Sequence, residues 1–179
     1  MKTEKVKTKS VNKGERLQQI SVLFVCLGNV CRSPVAKGVF RSLVEQQGKK
    51  ELFVVDSCGT GNWHIGQPAH PESRQVALRH AIDIEDHRAR QLLLADFYDF
   101  NYIIAMDRTN YRDILSVKPQ DSGQQFNFTL KLLRDFDPEN AVPDVPDPYL
   151  GGAGGFENVH QIIARSCALL LNYITTCKN

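Results

Sequence analysis

No stretch of the 179-residue sequence approaches the run of about 18 apolar residues that a membrane span needs. The N-terminus also lacks the apolar core and small-residue cleavage site of a secretory signal. Neither a bilayer-spanning nor an exported protein is expected. Charge of one sign is not in excess: 22 Lys and Arg against 20 Asp and Glu leave +2, too little for the footprint of a dedicated nucleic-acid binder. Twelve glycines and eight prolines are too few for a collagen-like or low-complexity chain, and 42% hydrophobic with 23% charged residues excludes wholesale disorder. Five cysteines, an odd number in a chain of this size, do not make a disulfide framework and fit a reducing compartment, which points to the cytoplasm. No Cys-x2-Cys or His-x3-His spacing offers a metal site, so none is expected.

What remains is one soluble domain with an uneven N-terminus. The first sixteen residues carry six cations and two anions, and the rest of the chain is slightly acidic. Residues 1–18 read as a disordered, basic, solvated tail and 19–179 as a single domain, expected to be a monomer.

Along the domain, Ile20 to Val25 is a short apolar run of strand length that stops at Cys26-Leu27-Gly28-Asn29. Ser33 and Pro34 then read as a helix N-cap and first helical position, with Ala36, Val39, Phe40 and Leu43 on one face as far as about Gly48. Leu52 to Val55 is a second strand, Pro71 to His80 a helix, Tyr102 to Met106 a third strand, and a helix follows to about Val117. Lys131 to Leu133 is a weak fourth strand, and Asp135 to Gly155, rich in Asp, Pro and Gly, reads as irregular. The last helix has the clearest periodicity, with Phe156, Val159, Ile163, Cys167, Leu170 and Ile174 on one face. Strands alternating with helices imply an α/β fold, a mostly parallel sheet covered on both faces, with ligands bound beyond the strand ends where strand order reverses.

The loop after the first strand is that place. Gly28 and Asn29 both tolerate left-handed backbone, so the loop from Cys26 can curl until successive N–H groups face one centre, an anion nest. The start of the following helix points its dipole at the same spot, and Arg32 adds a planar fork that cannot deprotonate. Both favour the thiolate form of Cys26, and Ser33 can donate its hydroxyl to that sulfur. A nucleophile inside an anion site suggests attack on phosphorus through a covalent phospho-cysteine.

The segment CLGNVCRSP, a Cys-x5-Arg-Ser loop, resembles the signature of low-molecular-weight protein tyrosine phosphatases. GTGNWHIG around Trp63, DHRARQL at 86–92, AMDRTN around Asp107 and DPYLGG at 147–152 extend the likeness over residues 20–175. The resemblance implies a three-layer α/β/α sandwich of the phosphotyrosine phosphatase I-like kind, with a four-stranded parallel sheet in the order 2-1-3-4. It implies Cys26 as nucleophile, Arg32 gripping phosphate and Asp147 as general acid. Leu27, Gly28, Asn29, Val30, Cys31 and Ser33 would line the phosphate, Ser57 would brace the loop with Asn29, and Trp63, Tyr149 and Leu27 would wall the pocket. A phosphotyrosine-containing protein is the implied substrate, inorganic phosphate the product, and no cofactor is implied. A second cysteine at the position of Cys31 is a known feature of the family and would be the redox partner of Cys26.

Several positions keep two readings. Asp107 is either a helix cap or a site residue, Trp63 a core anchor or a pocket wall, and Cys31 a packing thiol or the redox partner. Four positions depart from the family pattern: Cys58 in place of a small residue beside the Ser57 brace, His70 in place of a capping aspartate, Ala81 in place of a helix-ending glycine, and Leu150 in place of a second tyrosine. The His70 change is expected to remove a cap of about 1 kcal/mol. Arsenate reduction on the same fold, and a phosphate-sensing domain with little turnover, are the rival functions. The thioredoxin-coupled form of the former needs two further cysteines after the second helix, and none occurs between Cys58 and Cys167.

Overall fold

The structure is a computed structural model, and it describes residues 19–119, 127–138, 141–152 and 154–176. The expected N-terminal tail, residues 1–18, and Cys177 lie outside the described residues. Four parallel strands, β1 (Ile20–Cys26), β2 (Phe53–Gly59), β3 (Tyr102–Ala105) and β4 (Thr129–Leu132), form one sheet in the order β2-β1-β3-β4. The order 2-1-3-4 holds. β1 is central and buried on both faces, which is why it reads as an apolar run broken only by Ser21. Its side chains alternate between two cores. Val22, Phe24 and Cys26 face one layer with Val35, Phe40, Ile163 and Leu170, while Leu23 and Val25 face the other with Phe97, Ile103 and Ile114.

The first layer holds α1 (Arg32–Gln46), α2 (Pro71–Arg79) and α5 (Gly155–Thr176); the second holds the single turn α3 (Asp96–Asp99) and α4 (Arg108–Val117). Strand order reverses at β1, whose successor β2 lies on one side and β3 on the other. The loops after β1 and β3 therefore open the crevice in which ligands of such sheets bind.

Several local expectations need correction. α1 starts at Arg32, with Cys31 as an N-cap that uses no side-chain bond, so Ser33 and Pro34 lie inside the first turn rather than at its edge. Ser33 is spent on the loop instead. β2 runs on through Gly59, because Ser57 and Cys58 pair with Phe24 and Val25. β4 spans Thr129–Leu132, and Leu133, expected to end that strand, instead opens a 3-10 turn, Leu133–Phe136, that reaches into the region expected to be irregular; a second turn spans Pro148–Gly151. His70 keeps the cap it was expected to lose: its ring Nδ1 accepts from Glu72 N at 3.3 Å. Ala81 does occupy the glycine-like position, with φ +59°.

Candidate active site

β1 carries Cys26 to the carboxyl edge of the sheet, and residues 27–31 curl before α1 begins. Asn29 is the turning point, at φ +54°, a conformation that asparagine tolerates better than most residues. The carbonyls of the curl are turned outward to donors in the surrounding chain. Cys26 O accepts from Thr60 N (2.9 Å), Leu27 O from Gly61 N (2.9 Å) and Val30 O from His70 N (2.7 Å), while His87 Nε2 sits 2.7 Å from Asn29 O. With the carbonyls committed outside, the amide edge faces inward, and Asn29 N–H donates to Cys26 Sγ at 3.3 Å.

Behind the sulfur lies a buried polar network. Asn29 Nδ2 donates to Ser33 Oγ (2.8 Å) and Ser57 Oγ (3.1 Å), and Asn29 Oδ1 accepts from Arg90 N (2.9 Å). Ser33 Oγ lies 3.0 Å from Cys26 Sγ and 3.3 Å from Cys58 O, so its one proton has two acceptors. The thiol of Cys58 is packed among the opposite core, with Val25 and Phe97, and does not enter this brace.

Arg32 is buried, and its Nη1 donates to Asp107 Oδ2 and to Val145 O (3.0 Å). Burial works against its charge, but the negative charge at Cys26 and the carboxylate of Asp107 outweigh it, so its pKa is raised. Asp107 does both things open to it: Oδ1 caps α4 by accepting from Asn110 N (2.7 Å), and Oδ2 anchors the arginine. Val145 N in turn donates to Met106 O (2.8 Å), fastening the approach to Asp147 onto the end of β3. The Asp147 carboxylate caps the turn Pro148–Gly151 by accepting from Tyr149 N (3.0 Å), and its charge is felt at both Arg32 and Cys31.

Cys31 is buried, and desolvation, aided by the negative charge at Cys26, pushes its thiol up to about 12. Tyr149 is exposed, edge-on to the rings of His70 and Phe156, while Trp63 is 57% exposed and lies over Gly61. Trp63 is therefore not buried as a core anchor. Gly28 is packed under His64: a Cβ there would come within 2.9 Å of the imidazole Cδ2.

A sequence profile described as low molecular weight phosphotyrosine protein phosphatase matches residues 21–178. The chain belongs to this family. It is 42% identical over 152 residues to the low molecular weight protein-tyrosine-phosphatase YfkJ of Bacillus subtilis (strain 168), covering 85% of this chain and 94% of YfkJ. Against the human low molecular weight phosphotyrosine protein phosphatase it is 40% identical over 151 residues, covering 84% and 93%. A crystal structure of a protein tyrosine phosphatase from Entamoeba histolytica, with Hepes in the active site, superposes with a TM-score of 0.82 at 34% identity, covering 90% of this chain and all of that one. The chain is accordingly an enzyme of this class, a phosphoric monoester hydrolase.

Of the residues singled out by sequence, Cys26, Asn29, Ser33 and Ser57 fall into one bonded network. Arg32, Cys31 and Asp147 stand around it, and Leu27, Trp63 and Tyr149 lie exposed at the rim. Three contributors were not foreseen as such. Gly59 lies against the loop: a Cβ there would meet Leu27 O at 2.7 Å and Asn29 N at 3.1 Å. His87 and the backbone of Arg90 support Asn29 from behind. The DHRARQL segment marked both by likeness, but nothing in its composition announces a contact across more than fifty residues.

Among the described residues, no group of three or more His, Cys, Asp or Glu is placed to hold a metal ion, and no helix is long and apolar enough to cross a membrane.

Proposed function

We propose that the protein hydrolyses phosphotyrosine in proteins, and small aryl phosphates, through a phospho-cysteine on Cys26. The observation that carries this reading is the Cys26 sulfur held inside a curl whose carbonyls at Cys26, Leu27, Asn29 and Val30 meet partners outside it, with Ser33 Oγ at 3.0 Å and the Arg32 guanidinium fixed close by. In the first step the Cys26 thiolate attacks phosphorus, the S–P bond forms and the P–O bond to the phenol breaks. Asp147 gives its proton to the departing oxygen. The amide edge and Arg32 balance the charge that spreads over the equatorial oxygens. In the second step the Asp147 carboxylate takes a proton from water, whose oxygen attacks phosphorus. Inorganic phosphate leaves and the thiolate returns. Ser33, donating to the sulfur, stabilises it as both nucleophile and leaving group. These steps use no metal or organic cofactor.

The test is phosphate release from an aryl phosphate run beside an arsenate-reduction assay. Turnover of the first only, abolished in Cys26→Ser with the fold retained, is expected. Arsenate reduction, or residual hydrolysis within about tenfold of wild type in that variant, a loss too small for a missing nucleophile, overturns the assignment.

Cys31 is the redox partner in this reading. An accessible thiolate is the form that peroxide converts to sulfenic acid, and a neighbouring thiol captures that species as a disulfide before irreversible oxidation. Because burial holds the Cys31 thiol up at about 12, capture is slow at neutral pH and faster in alkali. Peroxide-treated wild type is expected to recover activity with dithiothreitol and Cys31→Ser to recover poorly; equal recovery assigns Cys31 to packing. Five cysteines, an odd count, fit a reducing compartment, and in this reading the protein is cytoplasmic.

A further inference from the structure

Beside the phosphate loop lies a groove of about 300 Å³ that the proposed chemistry does not use. Leu27, Trp63, Leu92 and Val117 supply its apolar wall, and Thr60 and Asp113 its polar end. It is continuous with the site, since Leu27 follows Cys26 directly and Thr60 N donates to Cys26 O. The wall is open to solvent: Leu27 is 42%, Trp63 57% and Val117 49% exposed. Apolar side chains gathered around a concavity, and not scattered singly, mark a surface that awaits a partner.

The polar end is built and charged. Thr60 Oγ1 donates to Asp113 Oδ2 at 3.2 Å, and Gln91 Nε2 donates to Thr60 O at 3.3 Å, so the carboxylate is held in place. Asp113 makes no ion pair among the described residues, and the adjacent Arg112 is turned back onto Arg108 O and Thr109 Oγ1. Because Leu27 follows Cys26 and lines the groove, residues beside a phosphotyrosine bound at Cys26 are within reach of it. An extended peptide advances about 3.3 Å per residue and sends alternate side chains to one side.

We infer that this groove is a substrate subsite that takes the residues flanking the phosphotyrosine, an aliphatic side chain against Leu92 and Val117 and a lysine or arginine against Asp113. The inference rests on the phosphatase reading and adds to it a class of substrate: phosphotyrosyl segments that are aliphatic and basic near the phosphorylated residue.

The test measures kcat/KM for a set of phosphotyrosyl peptides in which a Leu-Lys pair is moved through the three positions on each side of the phosphotyrosine, against Ser-Glu at the same places, with a free aryl phosphate as reference. At one register wild type is expected to prefer Leu over Ser by about tenfold and Lys over Glu by a further two- to fivefold or so, the latter shrinking with added salt. Val117→Ser lowers the first preference and Asp113→Asn the second, while aryl phosphate turnover stays at the wild-type level. Asp113→Lys reverses the charge preference toward Glu, an outcome that damage to the fold does not produce. A flat peptide profile with normal aryl phosphate turnover, or preferences that survive in all three variants, overturns the subsite. Loss of turnover on peptides and aryl phosphate alike in wild type overturns the phosphatase reading and the subsite with it.

Discussion

Asp147 is held by an Asx-type bond to Tyr149 N at the head of a Pro-Tyr turn, and an asparagine in its place keeps that acceptor. Asp147→Asn therefore removes the proton without removing the geometry. Substrates with poor leaving groups, which need that proton as the P–O bond breaks, are expected to slow by about 10²–10⁴, and activated ones far less. Comparing kcat across aryl phosphates of graded leaving-group acidity checks this, and equal losses across the series assign Asp147 a structural role. Cys26, Arg32 and Ser33 were legible at this scale because five residues between thiol and guanidinium, followed by Ser-Pro, describe a loop ending in a helix start. Asn29 was legible only as a residue that tolerates left-handed backbone. Its ties to Ser57, His87 and Arg90 come from chain that arrives 28 to 61 residues later, and local pattern cannot report them.

Elements set the loop's shape from outside. Where β2 ends, Gly59 pairs with Cys26 and leaves no room for a side chain between the strand and the curl. Gly59→Ala forces the backbone of Leu27 to Asn29 to shift. A stability loss of about 1–3 kcal/mol is expected from the overpacking, along with a fall in kcat/KM of more than about tenfold, since a misplacement near 1 Å disrupts oriented catalysis. Urea unfolding and aryl phosphate kinetics measure the two, and an alanine variant with wild-type kinetics would show that the loop does not depend on this contact. Helix ends follow the same logic of local need. α1 closes on Gly48 at φ +64°, with Lys49 N bonded to Val44 O (2.8 Å), and α2 closes on Ala81 at φ +59° with the equivalent bond from Ile82 N to Ala77 O (2.9 Å). The helices and strands were legible from periodicity, but their boundaries moved where tertiary partners recruit the terminal residues. Ser33 left the cap for the loop network, and His70 took up capping that its residue type does not advertise.

At the scale of the whole molecule, two buried histidines join distant parts of the chain. His87 backs the phosphate loop, and His160 on α5 stacks on His80 at the end of α2, with ring centroids 4.0 Å apart. Burial lowers the pKa of both, reinforced at His160 by the charge of His80. The unfolded chain therefore takes up these protons first. Stability is fully present above the ordinary histidine range near ~6.5 and declines as pH falls below it, ahead of the carboxylates. Urea midpoints are expected to drop between about pH 7 and about pH 5, and a flat or rising midpoint over that interval contradicts the placement of the two rings. The parallel order of the sheet was legible in the alternation of strands and helices, whereas the stacking of α2 on α5 through these rings depends on packing that no short segment encodes.

The central claim is that phosphate passes through the sulfur of Cys26, and acid quenching during turnover of an aryl phosphate, followed by peptide mapping, tests it most directly. The account predicts one phosphoryl group on the peptide carrying Cys26, lost in Cys26→Ser together with turnover. Sustained turnover with no phosphorylated cysteine, or with the phosphoryl group on Cys31 or Ser33 instead, would contradict it.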